Sequence, residues 1–184
     1  MDIVTTPLPG LVVLKPRRIE DGRGFFCESY HKQRLADAGI DACFVQDNLS
    51  LSKPEGTLRG LHFQKAPQAQ AKLVGVLHGE ARDVAVDLRL GSKTFGQHFS
   101  IVLSEAEGNQ LFIPAGFAHG FVTLKPDTLF AYKVSNYYSP GQEGGIRFDD
   151  PLLGIDWGRA ADMLVVSERD LALPAFDQKA EYFA

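Results

Sequence analysis

GNQLFIPAGFAHGF, residues 108–121, sets apolar runs on either side of one tight turn. NQLFIPAG (109–116) runs into Pro114 and Gly116, and HGFVTL (119–124) runs out past His119. Proline fixes φ and removes an N–H donor, while glycine tolerates left-handed backbone, so the pair forces the chain to turn. Outward from this stretch the same texture recurs. LVVLKP (11–16), GFFCESYH (24–31), CFVQDNLSLS (43–52), KLVGVLHG (72–79), EARDVAVDLRL (80–90), GQHFSIVLS (96–104) and TLFAYKVSNYY (128–138) are short, rich in β-branched and aromatic residues, and separated by Gly or Pro. Many short strands with a turn signal every ten residues or so predict an all-β sandwich or barrel. HKQRLADAG (31–39) reads as a helix stopped by Gly39, and SERDLALPAF (167–176) as a brief helical turn capped by Ser167. There is no internal repeat, low-complexity tract or linker, so a single domain over 1–184 is expected.

Composition narrows the function. The 184 residues have a hydrophobic share of 45%, ordinary for a globular chain with a substantial core. A formal charge of −4 argues against a general nucleic-acid binder. Cys27 and Cys43 make no disulfide framework and no metal-type pair. The start, MDIVTTPLPG, lacks the basic-then-apolar run of a signal peptide, and no stretch approaches the roughly 18 apolar residues of a membrane span. A cytoplasmic protein with no membrane contact is the expectation.

TLRGLHFQ (57–64) raises the chemical question. A regular pleat puts Leu58, Gly60, His62 and Gln64 on one face and Arg59, Leu61 and Phe63 on the other. A guanidinium in an otherwise apolar strand is costly without a partner. Arg59 and His62 are therefore functional candidates on their residue types alone, and a bulge at Gly60 would bring them to one face.

The spacing of Gly108, Pro114, Gly116 and His119 resembles the second motif of the cupin superfamily, a double-stranded β-helix or jelly roll, in which the turn aims the histidine into the barrel. Many cupins hold a metal with this histidine and a His-x-His pair. Here the corresponding segment is HFQ, with Gln64 in the second ligand position, so the resemblance implies a metal-free pocket.

A narrower resemblance spans about residues 2–176. DGRGFFCESY (21–30), FVQDNLS (44–50), TLRGLHFQ (57–64), QAQAKLV (68–74), GEARDVAVDLR (79–89), FIPAGFAHGF (112–121), YKVSNYYSP (132–140) and SERDLALP (167–174) follow in order and are together similar to the dTDP-4-dehydrorhamnose 3,5-epimerase family. The chain departs from the family pattern at Ala71 and at Gly158 after Trp157. The resemblance implies a homodimeric cupin with a few short helices, a tail from about residue 160 packed on the barrel, no cofactor, and a dTDP-4-keto-6-deoxysugar as substrate. It implies His62 as the base, Asp170 as its carboxylate partner, Tyr132 as the proton donor on the opposite face, and Lys72 beside the C4 oxygen. It assigns Arg59 and Arg23 to the diphosphate, Arg23 across the dimer. Phe26 and Tyr138 pack around thymine and diphosphate. Glu28, Gln46, Asn48 and Glu143 are polar ligands of nucleotide or sugar, and His119 lies near the sugar. The alternatives are an epimerase acting at C3 or C5 alone, a cupin that binds a sugar nucleotide without turnover, and a metal cupin.

Overall fold

The structure is a computed structural model and describes residues 1–183. In chain order it comprises β1 (Asp2–Thr5), β2 (Val12–Lys15), β3 (Arg18–Asp21), β4 (Gly24–Cys27), helix α1 (Lys32–Asp37), β5 (Gln46–Ser52), β6 (Thr57–Gln64), β7 (Lys72–His78) and β8 (Glu80–Asp87). There follow β9 (His98–Ser104), β10 (Gln110–Ile113), β11 (Phe117–Thr123), β12 (Thr128–Val134), β13 (Glu143–Gly145), β14 (Val165–Val166) and helix α2 (Glu168–Leu171). Among the described residues no helix is long and apolar enough to cross a membrane.

Two sheets build the barrel. The first runs β1-β2-β10-β7-β12-β5; the second runs β13-β6-β11-β8-β9, with β14 alongside β6. Their inner faces meet in one core, with Val74, Leu111 and Phe130 from the first sheet against Ala85, Leu103 and Phe121 from the second. This is an all-β barrel, as the strand and turn pattern predicts, in the jelly-roll form that the cupin resemblance implies. Alternation explains the sidedness of β12: Phe130, Tyr132 and Val134 face inward, and the strand pairs with β5 on one edge and β7 on the other.

Strands end where local chemistry ends them. The first run of the turn stops at Ile113 because Pro114 cannot donate to the ladder. β4 stops at Cys27, well before His31, because the chain turns there into α1, whose N-terminus His31 caps by accepting from the Arg34 N–H. Gly39 closes that helix at φ +81°.

The outer face of the second sheet is covered by the C-terminal segment. Leu58, Leu61 and Phe63 of β6 pack there with Ile146, Trp157 and Phe176. Tyr182 meets Phe63 edge-on with ring centroids 5.7 Å apart.

The candidate active site in the barrel

β6 is not a regular strand. His119 pairs with His62 and Phe121 with Arg59, so two steps along β11 match three along β6. One residue of β6 is extra, a bulge at Gly60–Leu61. Leu58 and Leu61, three apart, thereby share the outer apolar face, while Arg59 and His62, also three apart, share the inner one. The simple alternation is wrong for this strand, and the bulge expected at Gly60 corrects it. Glycine is required: φ is +128°, and a Cβ would sit 2.6 Å from the Gly120 Cα.

The inner faces enclose a cavity of about 610 Å³. Gln46, Asn48, Lys72 and Tyr132 enter it from the first sheet, and Arg59, His62 and His119 from the second. Tyr138, Glu143 and Asp170 complete one end. Ten of the thirteen residues predicted from sequence thus converge. Arg23, Phe26 and Glu28 do not. Arg23 is solvent-exposed and paired with Asp21 at 2.6 Å on the β3–β4 hairpin. Phe26 is exposed on β4, and Glu28 forms an ion pair with Arg34 at 2.8 Å. Arg23 and Phe26 lie on a hairpin that forms its own two-stranded sheet, Glu28 directly follows it, and none of the three lines this cavity.

His62 is held by α2. Its Nε2 lies 2.7 Å from Asp170 Oδ1, while Asp170 Oδ2 accepts the Gly60 N–H at 3.3 Å. Ser167 caps the helix by accepting the Asp170 N–H at 3.1 Å, so the cap is Ser167 and the Asp170 carboxylate is left free for the histidine. Burial pushes the Asp170 carboxyl up, but the bond and charge of His62, the Gly60 amide and Ser167 outweigh it and hold the group below its usual range. A carboxylate on one ring nitrogen orients the imidazole and leaves the other nitrogen to act on a ligand.

Lys72 projects from β7 with Nζ 3.5 Å from the His62 carbonyl oxygen. Burial pulls its ammonium down to about 8, against the attraction of Asp83 and Glu143. Burial raises the Tyr132 phenol, opposed by the charge of Arg59, so Tyr132 stays a neutral phenol in the resting site. His119 bonds Asp83 Oδ2 through Nε2 at 2.7 Å, and burial lowers its basicity.

At the rim the Tyr138 hydroxyl donates to Glu143 Oε2 at 2.8 Å, and Arg169 pairs with the same carboxylate at 2.5 Å. Gln46 Nε2 donates to Asn48 Oδ1 at 2.9 Å, and Gln46 Oε1 accepts the Tyr138 N–H at 3.1 Å. Gln64 is committed to the backbone. Its amide donates to the Gln68 and Tyr137 carbonyls, and its oxygen accepts the Ser139 N–H at 2.7 Å. It fixes the loop after β12.

Sequence reasoning missed Asp83 and Arg169. A signal existed for each: Asp83 is a carboxylate in the apolar strand ARDVAVDL, and Arg169 directly precedes Asp170.

Known proteins resemble this chain along nearly its whole length. The family model described as dTDP-4-dehydrorhamnose 3,5-epimerase matches residues 5–178. The dTDP-4-dehydrorhamnose 3,5-epimerase of Salmonella typhimurium is 47% identical over 179 residues, covering 97% of each chain. The crystal structure of the Elizabethkingia anophelis dTDP-4-dehydrorhamnose 3,5-epimerase superposes with a TM-score of 0.93 at 44% identity, over 97% of this chain and 98% of that one. A Legionella pneumophila dTDP-6-deoxy-D-glucose-3,5-epimerase, solved in complex with dTDP-4-keto-L-rhamnose, superposes at 0.88 with 44% identity, over 96% of this chain and 98% of that one. Likeness along nearly the whole length, in sequence and in the course of the barrel alike, leaves one assignment: the chain belongs to the dTDP-4-dehydrorhamnose 3,5-epimerase family.

Proposed function

We propose that the chain inverts C3 and C5 of dTDP-4-dehydro-6-deoxy-D-glucose to give dTDP-4-dehydro-L-rhamnose, with His62 as base and Tyr132 as acid. The observation that carries this is that His62, oriented by Asp170 of α2, stands on one sheet, and Tyr132 and Lys72 stand on the sheet that faces it. The C4 ketone acidifies the hydrogens at C3 and C5. His62 takes one of these protons, and the electron pair of the C–H bond moves onto the C4 oxygen as an enolate. Lys72, an ammonium in a partly desolvated site, stabilises that oxygen. Tyr132 then protonates the carbon from the opposite face, which inverts it. Arg59 and the polar groups Gln46 and Asn48 supply the anion- and hydrogen-bonding surface a nucleoside diphosphate requires.

The reading extends to a homodimer in the cytoplasm. Arg23, Phe26 and Glu28 then complete the cavity of a second copy. Leu49, Leu51 and Leu77 on the outer face of the first sheet, each more than half exposed, supply the apolar surface such an interface buries. Cys27 and Cys43 are unpaired, in keeping with a reducing compartment. Sedimentation that returns only monomer at micromolar concentration would remove the dimer.

The test of function is solvent exchange. In deuterated water with dTDP-4-keto-6-deoxyglucose, NMR is expected to show deuterium entering at C3 and C5, and His62→Ala to abolish it. Exchange at one carbon makes the chain a single-centre epimerase. Binding without exchange makes it a sugar-nucleotide-binding cupin.

A further inference from the structure

Asp83 lies wholly buried on β8 and has no part in the mechanism above. In the β8–β11 ladder Asp83 stands opposite Phe121 and His119 opposite Ala85, so Asp83 and His119 are diagonal neighbours on one face. The 2.7 Å bond from His119 Nε2 occupies Asp83 Oδ2. Oδ1 is shielded from solvent and has no hydrogen-bond partner among the described residues. A buried carboxylate with an idle oxygen is costly unless positive charge stands near it.

We infer that Asp83 is a positioning residue for the epimerisation: it fixes the tautomer of His119 and balances the ammonium charge of Lys72 across the barrel. A carboxylate on Nε2 demands the Nε2–H tautomer, which leaves His119 Nδ1 as an acceptor. The groups around Lys72 are Arg59 and His62 on β6, Asp83 on β8, His119 on β11, Tyr132 on β12 and Glu143 on β13. Two of these are carboxylates that attract the ammonium, and Asp83 is the stronger. Glu143 is already engaged by Arg169 and the Tyr138 hydroxyl. His119, held towards its neutral form by burial, adds little competing charge. Burial alone drives Lys72 towards the free amine, which cannot stabilise an enolate by charge, and Asp83 is placed to oppose that.

The experiment is Asp83→Asn, isosteric and uncharged, read in two ways. The first is the pH profile of kcat/KM. The loss is expected to stay within about threefold near pH 6 and to reach at least about tenfold near pH 8, since each pKa unit is a factor of ten in protonation. The second is NMR titration of the Lys72 side-chain carbon, assigned with Lys72→Arg, whose midpoint is expected to fall. Loss by the same factor at every pH, with an unmoved Lys72 titration, would mean that Asp83 only braces β8 against β11. If Asp83→Asn does not fold, Asp83→Glu keeps the charge: a slowed enzyme with the wild-type profile supports the inference, and a displaced profile overturns it. The inference rests on the epimerase reading. Wild-type protein without solvent exchange sinks that reading, whereas active wild type with a parallel Asp83→Asn profile sinks only the role of Asp83.

Discussion

Gly60→Ala tests the bulge on which the cavity depends. At Gly60 the backbone has φ +128°, and an added Cβ lies 2.6 Å from the Gly120 Cα and 2.9 Å from the His119 carbonyl oxygen. Both obstacles are backbone of β11, so no change of rotamer relieves them. An L side chain at that φ costs about 1–3 kcal/mol. Forcing a methyl into a packed interface costs a further 1–3 kcal/mol or so. The expected loss is about 2–6 kcal/mol, a large part of the roughly 5–15 kcal/mol that holds a domain folded. The strand can relieve the clash by moving about 1 Å away from β11, which carries Arg59 and His62 off their positions and stretches the 3.3 Å bond from the Gly60 N–H to Asp170. A displacement of that size costs on the order of a hundredfold in rate. Urea unfolding gives the stability, and deuterium exchange into the substrate, measured where the variant is folded, gives the activity. A variant within about 0.5 kcal/mol of wild type that exchanges at the wild-type rate would refute the reasoning, because the bulge would then tolerate a side chain.

Tyr132→Phe removes the proposed acid and leaves the proposed base, His62. Deuterium is expected to keep entering the substrate, while accumulation of inverted sugar falls by about 10²–10⁴-fold; equal loss of both would mean that Tyr132 also serves the abstraction step. Lys72→Met is expected to abolish turnover yet raise the thermal midpoint at pH 7. Burial lowers the folded-state pKa of Lys72 from 10.5 to about 8, so the cost of its charge is full below about 8 and is relieved as pH rises towards 10.5. The wild type should therefore gain stability across that window and the variant should not; an unchanged difference between them from pH 7 to 10 would show that Lys72 carries no such cost.

Much of this was legible in the sequence because strands and tight turns are local. The alternation in the segments and the Pro114–Gly116 turn set the sheet content, and Gly60 within an otherwise well-formed strand was a sign of the bulge that puts Arg59 beside His62. Strand ends were less legible. β4 stops early where the chain turns into α1, and β12 stops at Val134 because the chain beyond it is held by side chains distant in sequence, such as Gln64 on the Tyr137 carbonyl.

By itself the sequence determined the strand-rich class, the histidine after the proline–glycine turn, and the residue types that acid–base chemistry and a diphosphate demand. Tertiary structure decided which of them meet. His62 and Asp170 are 108 residues apart and come into contact only because α2 lies against β6. Asp83 looked like one acid in an apolar strand until β11 laid His119 over it. Arg23, Phe26 and Glu28 match the family pattern, yet the β3–β4 hairpin and the residue after it stand apart from this chain's own cavity. The physical reason is common to all three: a residue's type and local backbone preference are carried by its neighbours in sequence, whereas its partner, its burial and its charge state are set by whatever the folded chain places across from it.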